Sequence, residues 1–217
     1  DTVANVPTSV YLAMAWVPVV TAWLFPQVRL LKPIMSLAYG GMAVAGAAVA
    51  LLLLAQPPGV VIMIAMIAHA AVLGCTLGVT FALSWEALAR GVSEGLRGRA
   101  FALAFGWGPG FAVIGSVGAQ LLLEGKFFAW RLPAWAAMEY PFNYAVLFGI
   151  SAAAMALAAF LVRYYSIPLP AKEVERESFR TAVFGGFKRI LGYRVLLIAC
   201  AAYLLVYCGN MVQNNMS

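Results

Sequence analysis

The sequence predicts an all-α, polytopic transmembrane helix bundle of six helices. Two observations carry this prediction. The 217 residues are 64% hydrophobic and only 10% charged, whereas a soluble domain carries about 25% charge and roughly 45–50% apolar residues. The apolar residues also fall into six runs, each near the ~20 residues needed to cross a bilayer as a helix. A third observation orients them. Once the gaps between runs are assigned to alternating sides, twelve of the fourteen Lys and Arg residues lie on one side, and an excess of basic residues near helix ends marks the cytoplasmic face.

The runs are taken in chain order: Thr8–Phe25, Ile34–Ala55, Gly59–Trp85, Ala100–Leu123, Asn143–Val162 and Val195–Met216. Only structures that satisfy every backbone hydrogen bond internally persist in lipid, so each run is expected to be α-helical. The first begins outside. The gap after it carries Arg29 and Lys32, which face the cytoplasm. The second ends at Gln56-Pro57-Pro58, an outer turn, because proline cannot continue one helix and presets the start of the next. The third closes near Glu86 and Arg90, spaced i, i+4 for pairing on a helix. In its apolar interior, Ala70, Gly74, Gly78 and Ala82 repeat every four residues, a small-residue face that lets two helices approach closely.

The fourth run follows a cytoplasmic gap holding Arg97 and Arg99. It carries Gly106, Gly110, Gly115 and Gly118, with Pro109 removing one backbone hydrogen bond and favouring a bend. An outer gap, Glu124 to Phe142, contains Phe127, Phe128, Trp130, Trp135 and Tyr140. Trp and Tyr gather at the membrane–water boundary, so a half-embedded loop or a short surface helix is expected there. After the fifth run, Ile167-Pro168-Leu169-Pro170 leads into a charged stretch from Ala171 to about Leu191. In that stretch Phe179, Val183, Phe187 and Ile190 recur at helical spacing, the pattern of an amphipathic helix lying on the cytoplasmic membrane surface. The sixth run ends the chain. This divides it into a helix bundle over 1–165, a cytoplasmic linker over 166–194 and a final helix over 195–217.

The polar residues inside the runs are the candidate functional ones, because polar groups in lipid need partners and ionisable ones are costly. In the last run Tyr203, Tyr207, Asn210 and Asn214 follow i, i+4, i+7, i+11 and share one face, with Gln213 at its edge. Their hydroxyl and amide groups both donate and accept hydrogen bonds, which suits a neutral polar solute. Gln213, Asn214 and Asn215 equally suit a wet outer helix end. The one histidine, His69, shares a stripe with Thr76 and Thr80 within about 40° on the helical wheel. A proton-coupling role is one reading, since histidine titrates near neutrality. A neutral histidine bonded to a neighbouring helix, with both threonines bonded to backbone, is the other.

Several classes are excluded or disfavoured. The one Asp is Asp1 and the one His is intramembrane, so no Ser/His/Asp grouping forms. No Walker loop or dinucleotide glycine motif occurs, and no cofactor or metal site is expected. The net charge of +6 is explained by topology rather than nucleic-acid binding. Cys75, Cys200 and Cys208 all lie in apolar runs and are expected as small buried residues rather than a disulfide framework. The chain opens at Asp1 beside one helix and closes at Ser217 at the end of another, so a segment of a longer protein is expected.

The stretch Glu94-Gly95-Leu96-Arg97-Gly98-Arg99-Ala100-Phe101-Ala102, continuing through Gly106-Trp107-Gly108-Pro109-Gly110, resembles the loop between helices four and five of the major facilitator superfamily and the Gly-Pro motif of its fifth helix. Ala104 and Ala112 stand where that motif often has glycines. The gap Phe25-Pro26-Gln27-Val28-Arg29-Leu30-Leu31-Lys32-Pro33 sits where the family has its loop between helices two and three. Arg29 and Lys32 are similar to its basic positions, but the family's Asp and glycines are absent. An outside start and a long linker after the fifth helix match family helices two to seven.

The resemblance implies a partial major-facilitator-like fold and a secondary active transporter of a small solute working by alternating access, in the bacterial inner (plasma) membrane. It implies that the face of Tyr203, Tyr207, Asn210, Gln213 and Asn214 lines the substrate pathway, with His69, Thr76 and Thr80 as further candidates. Arg29, Lys32, Glu86, Arg90, Arg97 and Arg99 are candidates for a cytoplasmic gate, with solvated charges at helix ends as the other reading of each. The expected partners are the lipid bilayer, the solute and either protons or no coupling ion, and no nucleic acid. A segment holding half the helices is not expected to transport alone. The alternative is a non-transporting six-helix membrane assembly or scaffold subunit. A membrane-embedded enzyme, lacking any visible catalytic group, ranks below both.

Overall fold

The computed structural model describes residues 5–24, 31–133, 138–169 and 178–216. The chain divides into two compact units, Asp1–Glu173 and Val174–Ser217.

In the first unit the helices are α1 (Asn5–Leu24), α2 (Leu31–Ala55), α3 (Gly59–Gly91), α4 (Glu94–Glu124) and α5 (Phe142–Leu161). α5 tightens into a 3₁₀ turn at Val162–Tyr164. α2 is the central helix, packed between α3 and α5, and α1 lies along the other side of α3. Two apolar clusters hold this arrangement. At one end Leu31 and Met35 of α2 meet Leu83 of α3 and Val162. At the other end Val49 and Leu53 of α2 meet Ala145 of α5, with Ile62, Met66 and Phe148 around them.

Small residues decide which helix faces meet. Gly74 and Gly78 of α3 lie against α1: a Cβ at Gly78 would fall 2.8 Å from Val17 Cβ, and one at Gly74 would collide with the Val10 carbonyl. Gly46 of α2 faces Ala152 of α5, where a Cβ would sit at 3.4 Å. With lipid tails as apolar as the side chains, such close backbone approach is what favours helix association. The small-residue face expected on the third run is thus a packing face.

α4 differs. It runs unbroken through Pro109, and its glycines Gly106, Gly108, Gly110, Gly115 and Gly118 have open space around them. Trp107, Phe111, Val113 and Ile114 are exposed. The unit therefore leaves the glycine-rich surface of α4 uncovered.

Several elements depart from expectation. α3 continues to Gly91 and α4 starts at Glu94, so the third and fourth runs are longer than their apolar parts. Helical hydrogen bonding carries on past the point where apolar residues stop, since charged residues are acceptable once the helix has left the lipid. The outer gap is neither loop nor surface helix at its start. Gly125, at φ 68°, ends α4 in the left-handed conformation, which costs glycine least. A minimal hairpin follows, with β1 (Lys126–Phe127) antiparallel to β2 (Trp130–Arg131) and Lys126 opposite Arg131. Trp135 lies outside the described residues. Cys75 is exposed rather than buried, because its neighbours Gly74 and Thr76 take the buried face and turn it outward.

In the second unit, α6 (Phe179–Gly192) meets α7 (Arg194–Met216) at a 96° bend. The Ser178 hydroxyl accepts the Thr181 amide at 3.2 Å, starting α6 with a side-chain cap. The expected amphipathic helix is present from Phe179. Its expected beginning, 171–177, lies outside the described residues.

The described residues are mostly helical, with one short hairpin, and carry apolar helices long enough to cross a membrane. Among the described residues four qualify: α2, α3, α4, and α5 extended to Tyr164; the bent α6–α7 pair makes a fifth if counted as one span. Six were expected. In α1 the described apolar run is Val10–Leu24, about 23 Å of helix at 1.5 Å per residue against a hydrocarbon core of about 30 Å. In α7 the described apolar part is Arg194–Val206, which is short for the same reason.

Candidate functional site

The sequence-derived candidates fall in three places. The first is the interior of α3. Thr76 Oγ1 donates to the Ala38 carbonyl of α2 at 3.2 Å, and Thr80 Oγ1 donates to the Thr76 carbonyl at 2.7 Å. Both threonines are buried. They occupy the α2–α3 contact, where a hydroxyl satisfies itself on backbone carbonyls and tightens the pair. His69 sits two to three turns away, packed edge-on against Phe148 of α5 with ring centroids 5.1 Å apart. Its Nε2 is buried without a hydrogen-bond partner among the described residues. The stripe seen on the helical wheel is therefore divided: Thr76 reaches α2, Thr80 bonds back to its own helix and His69 packs against α5.

The second place is the end of α3 and its turn into α4. Glu86 Oε1 and Arg90 Nε lie 3.2 Å apart, an i, i+4 ion pair with the Arg90 side chain 12% exposed and that of Glu86 39%. Arg90 Nε is oriented by the helix itself, since residues four apart are stacked on one face. Arg97 reaches back from α4 to the free carbonyls at the end of α3, donating to Ala89 at 2.6 Å and Val92 at 3.2 Å. A guanidinium suits this role because its fixed fork presents several donors at once, and a cation is favoured at a helix C-terminus. Glu94 adds a looser contact to Arg97 at 3.7 Å, with its own side chain 90% exposed. Arg99 is exposed on the first turns of α4.

Lys32, at the start of α2, shares a small cavity of about 230 Å³ with Arg90, lined further by Leu31, Pro33 and Ile167–Leu169. The structure thus brings Lys32, Arg90 and Glu86 to one end of the unit, and ties Arg97 to the α3–α4 turn beside them. Arg29 lies outside the described residues.

The third place is α7. Its helical backbone carries Tyr203, Tyr207, Asn210, Gln213 and Asn214, and the helical repeat places the first three and Asn214 on one face. Their side chains lie outside the described residues.

Three polar positions escaped the sequence reading. Ser36 Oγ donates to the Ala159 carbonyl at 2.8 Å, linking α2 to α5. Asn143, 5% exposed, accepts the Tyr144 amide at 2.8 Å at the start of α5. Arg163 comes beside Lys32, whose Nζ lies 3.5 Å from the Arg163 carbonyl. Ser36 gave no sequence signal, because one hydroxyl in an apolar run reads the same whether it meets a neighbour or its own helix. Lys32 and Arg163 are 131 residues apart and were legible only as separate basic residues.

Among the described residues no group of three or more His, Cys, Asp or Glu side chains is placed to hold a metal ion. Comparison with protein families, curated proteins and solved structures found no match to this chain.

Proposed function

We propose that this chain is part of a secondary active transporter that moves a small polar or amphipathic solute by alternating access, a process in which helix bundles rock around a site near the bilayer midplane. The observation that carries the reading is the α3–α4 turn. The run from Glu94 to Ala102, on which the resemblance to the major facilitator superfamily rests, forms a tight charged junction. In it Arg97 clamps the end of α3 and the Glu86–Arg90 pair adjoins it. Such a junction transmits a tilt of α3 to α4 without adding a flexible loop. Pathway roles for His69 and the polar face of α7, gate roles for the basic cluster, six membrane spans and placement in a bacterial inner membrane all belong to this proposal. The driving gradient in it is protons or none.

The uncovered glycine surface of α4 favours a second reading, a non-transporting membrane assembly or scaffold subunit whose partner helix packs there.

The test is reconstitution of the product of the complete open reading frame into proteoliposomes, with counterflow measured over a panel of small polar solutes, with and without a pH gradient. Saturable counterflow of one solute, weakened at least tenfold by Arg97→Gln with the protein still folded, is the expected result. A folded protein that moves none of the panel, yet co-purifies with a second membrane protein, would favour the assembly subunit.

A further inference from the structure

A groove of about 580 Å³ lies along the first turns of α2 beside the 3₁₀ turn that follows α5, lined by Lys32, Pro33, Ser36, Leu37, Gly40 and Arg163. We propose that it binds one anionic phospholipid, with the phosphate held between Lys32 and Arg163 and an acyl chain laid along Leu37 and Gly40.

Three features support this occupant. The first is charge. Lys32 and Arg163 converge on the mouth, and among the described residues no carboxylate lies within ion-pair distance of either. Two cationic residues lining one groove without a carboxylate partner favour an anion, and basic pockets between helices at the cytoplasmic surface suit anionic head groups.

The second feature is depth. Tyr164 and Tyr165, next to Arg163, are 71% and 44% exposed, the placement of aromatic residues at the membrane–water boundary. In the proposal the cationic mouth is level with the lipid head groups, and the acyl chain lies along α2 toward the hydrocarbon.

The third feature is the chemistry of the groove floor. Ser36 already spends its hydroxyl on the Ala159 carbonyl. Gly40 has open space where a side chain would stand, and Leu37 is 76% exposed. What remains below the mouth is an apolar channel with no free hydrogen-bonding group from these residues, which suits an acyl chain and not a soluble phosphate compound.

The inference needs the membrane location of these helices but not a transport activity, so it stands or falls separately from the function proposed above. The experiment is native mass spectrometry of the full 217-residue chain in detergent, titrated with phosphatidylglycerol or with phosphatidylcholine of the same acyl chains. The expected result is one phosphatidylglycerol adduct, at least tenfold preferred over phosphatidylcholine. Lys32→Gln and Arg163→Gln should each weaken it about fivefold, at the strength of one basic residue near an anionic lipid surface. Lys126→Gln, on the opposite side, should leave it unchanged.

A Cβ at Gly40 meets nothing within 4 Å, so Gly40→Phe, which puts a ring into the groove, should abolish the adduct while the thermal unfolding temperature is kept. It therefore decides the question even if a charge variant fails to fold. Excess inorganic phosphate should not displace the lipid. Equal retention of the two lipids, an adduct untouched by both Arg163→Gln and Gly40→Phe, or displacement by inorganic phosphate would each overturn the proposal.

Discussion

Gly74 of α3 lies against the main-chain carbonyl of Val10 in α1, so close that a single added carbon would overlap the oxygen. Ala13 Cβ would stand 2.8 Å from the same carbon, so two successive turns of α1 rest on one glycine. At Gly74 α1 meets α3 backbone to backbone, whereas at Gly78 it presents the Val17 and Pro18 side chains.

Substitution of this glycine should separate the two helices. Gly74→Val is expected to cost about 1–3 kcal/mol, the range for overpacking a closed site. It should lower the thermal unfolding temperature in detergent. Gly110→Ala in α4 is the matched control. Its surroundings are open, so the change should be neutral or stabilising by up to about 1 kcal/mol from helix propensity alone. Equal destabilisation by the two would contradict the packing described here.

Ser36→Ala and Thr76→Val remove the hydroxyls that reach from one helix to the next. Each should cost about 0.6 kcal/mol, the average for such bonds within membranes. Unfolding in mixed detergent micelles measures this directly. A loss of solute flux with unchanged stability would instead place the Thr76 hydroxyl on a ligand.

The Glu86–Arg90 pair should show coupling in a double-mutant cycle. Glu86→Gln leaves the mostly enclosed Arg90 without its carboxylate, whereas Glu86→Gln combined with Arg90→Gln removes both charges. The coupling should be about 0.2–1 kcal/mol and should shrink in high salt, because Glu86 remains solvent-accessible. Coupling that is indifferent to salt would mean the pair is sealed from water.

Arg97→Gln should free the end of α3. The loss of the bonds to Ala89 and Val92 is expected to speed amide hydrogen exchange over residues 88–93, with little effect at the start of α3. Arg97→Lys should restore only part of the protection, since an ammonium on a flexible stem lacks the guanidinium fork. Unchanged exchange in Arg97→Gln would show that the turn holds without it.

The ends of α4 should label from opposite sides of the membrane. α4 covers thirty-one residues, about 46 Å of helix, ample for a bilayer. In a cysteine-free background, Lys126→Cys should react with an impermeant maleimide in intact cells, and Arg99→Cys only after permeabilisation. Both sites are exposed, so reaction of both from one side would refute the spanning assignment for α4.

The helices and the faces that pack were largely legible in the sequence, for identifiable reasons. Apolar run length marked α2 to α5, because a helix is the one local structure that can carry such runs through lipid. The spacing of Ala70, Gly74 and Gly78 marked a contact face, and all three are buried. The glycines of α4 carry a similar pattern, yet they meet nothing within the unit. Spacing shows that a helix can be approached closely, and not whether a partner is there. The hairpin after α4 was missed because four strand residues give no periodicity, and its one local cue was Gly125.

By itself, then, the sequence determined that this is a mostly helical chain with several apolar helices long enough to cross a membrane, and that its basic residues gather in three of the five gaps between apolar runs. Those properties follow from local hydrophobicity and from the side on which basic residues accumulate. Only the tertiary structure decided that α2 is the central helix, that Thr76 reaches α2 while Thr80 bonds back to its own helix and His69 turns to Phe148, and that Lys32 meets Arg163 across 131 residues. The physical reason is that pairing between helices depends on the complementary shape of two distant faces, and a single helix's pattern records only one of them.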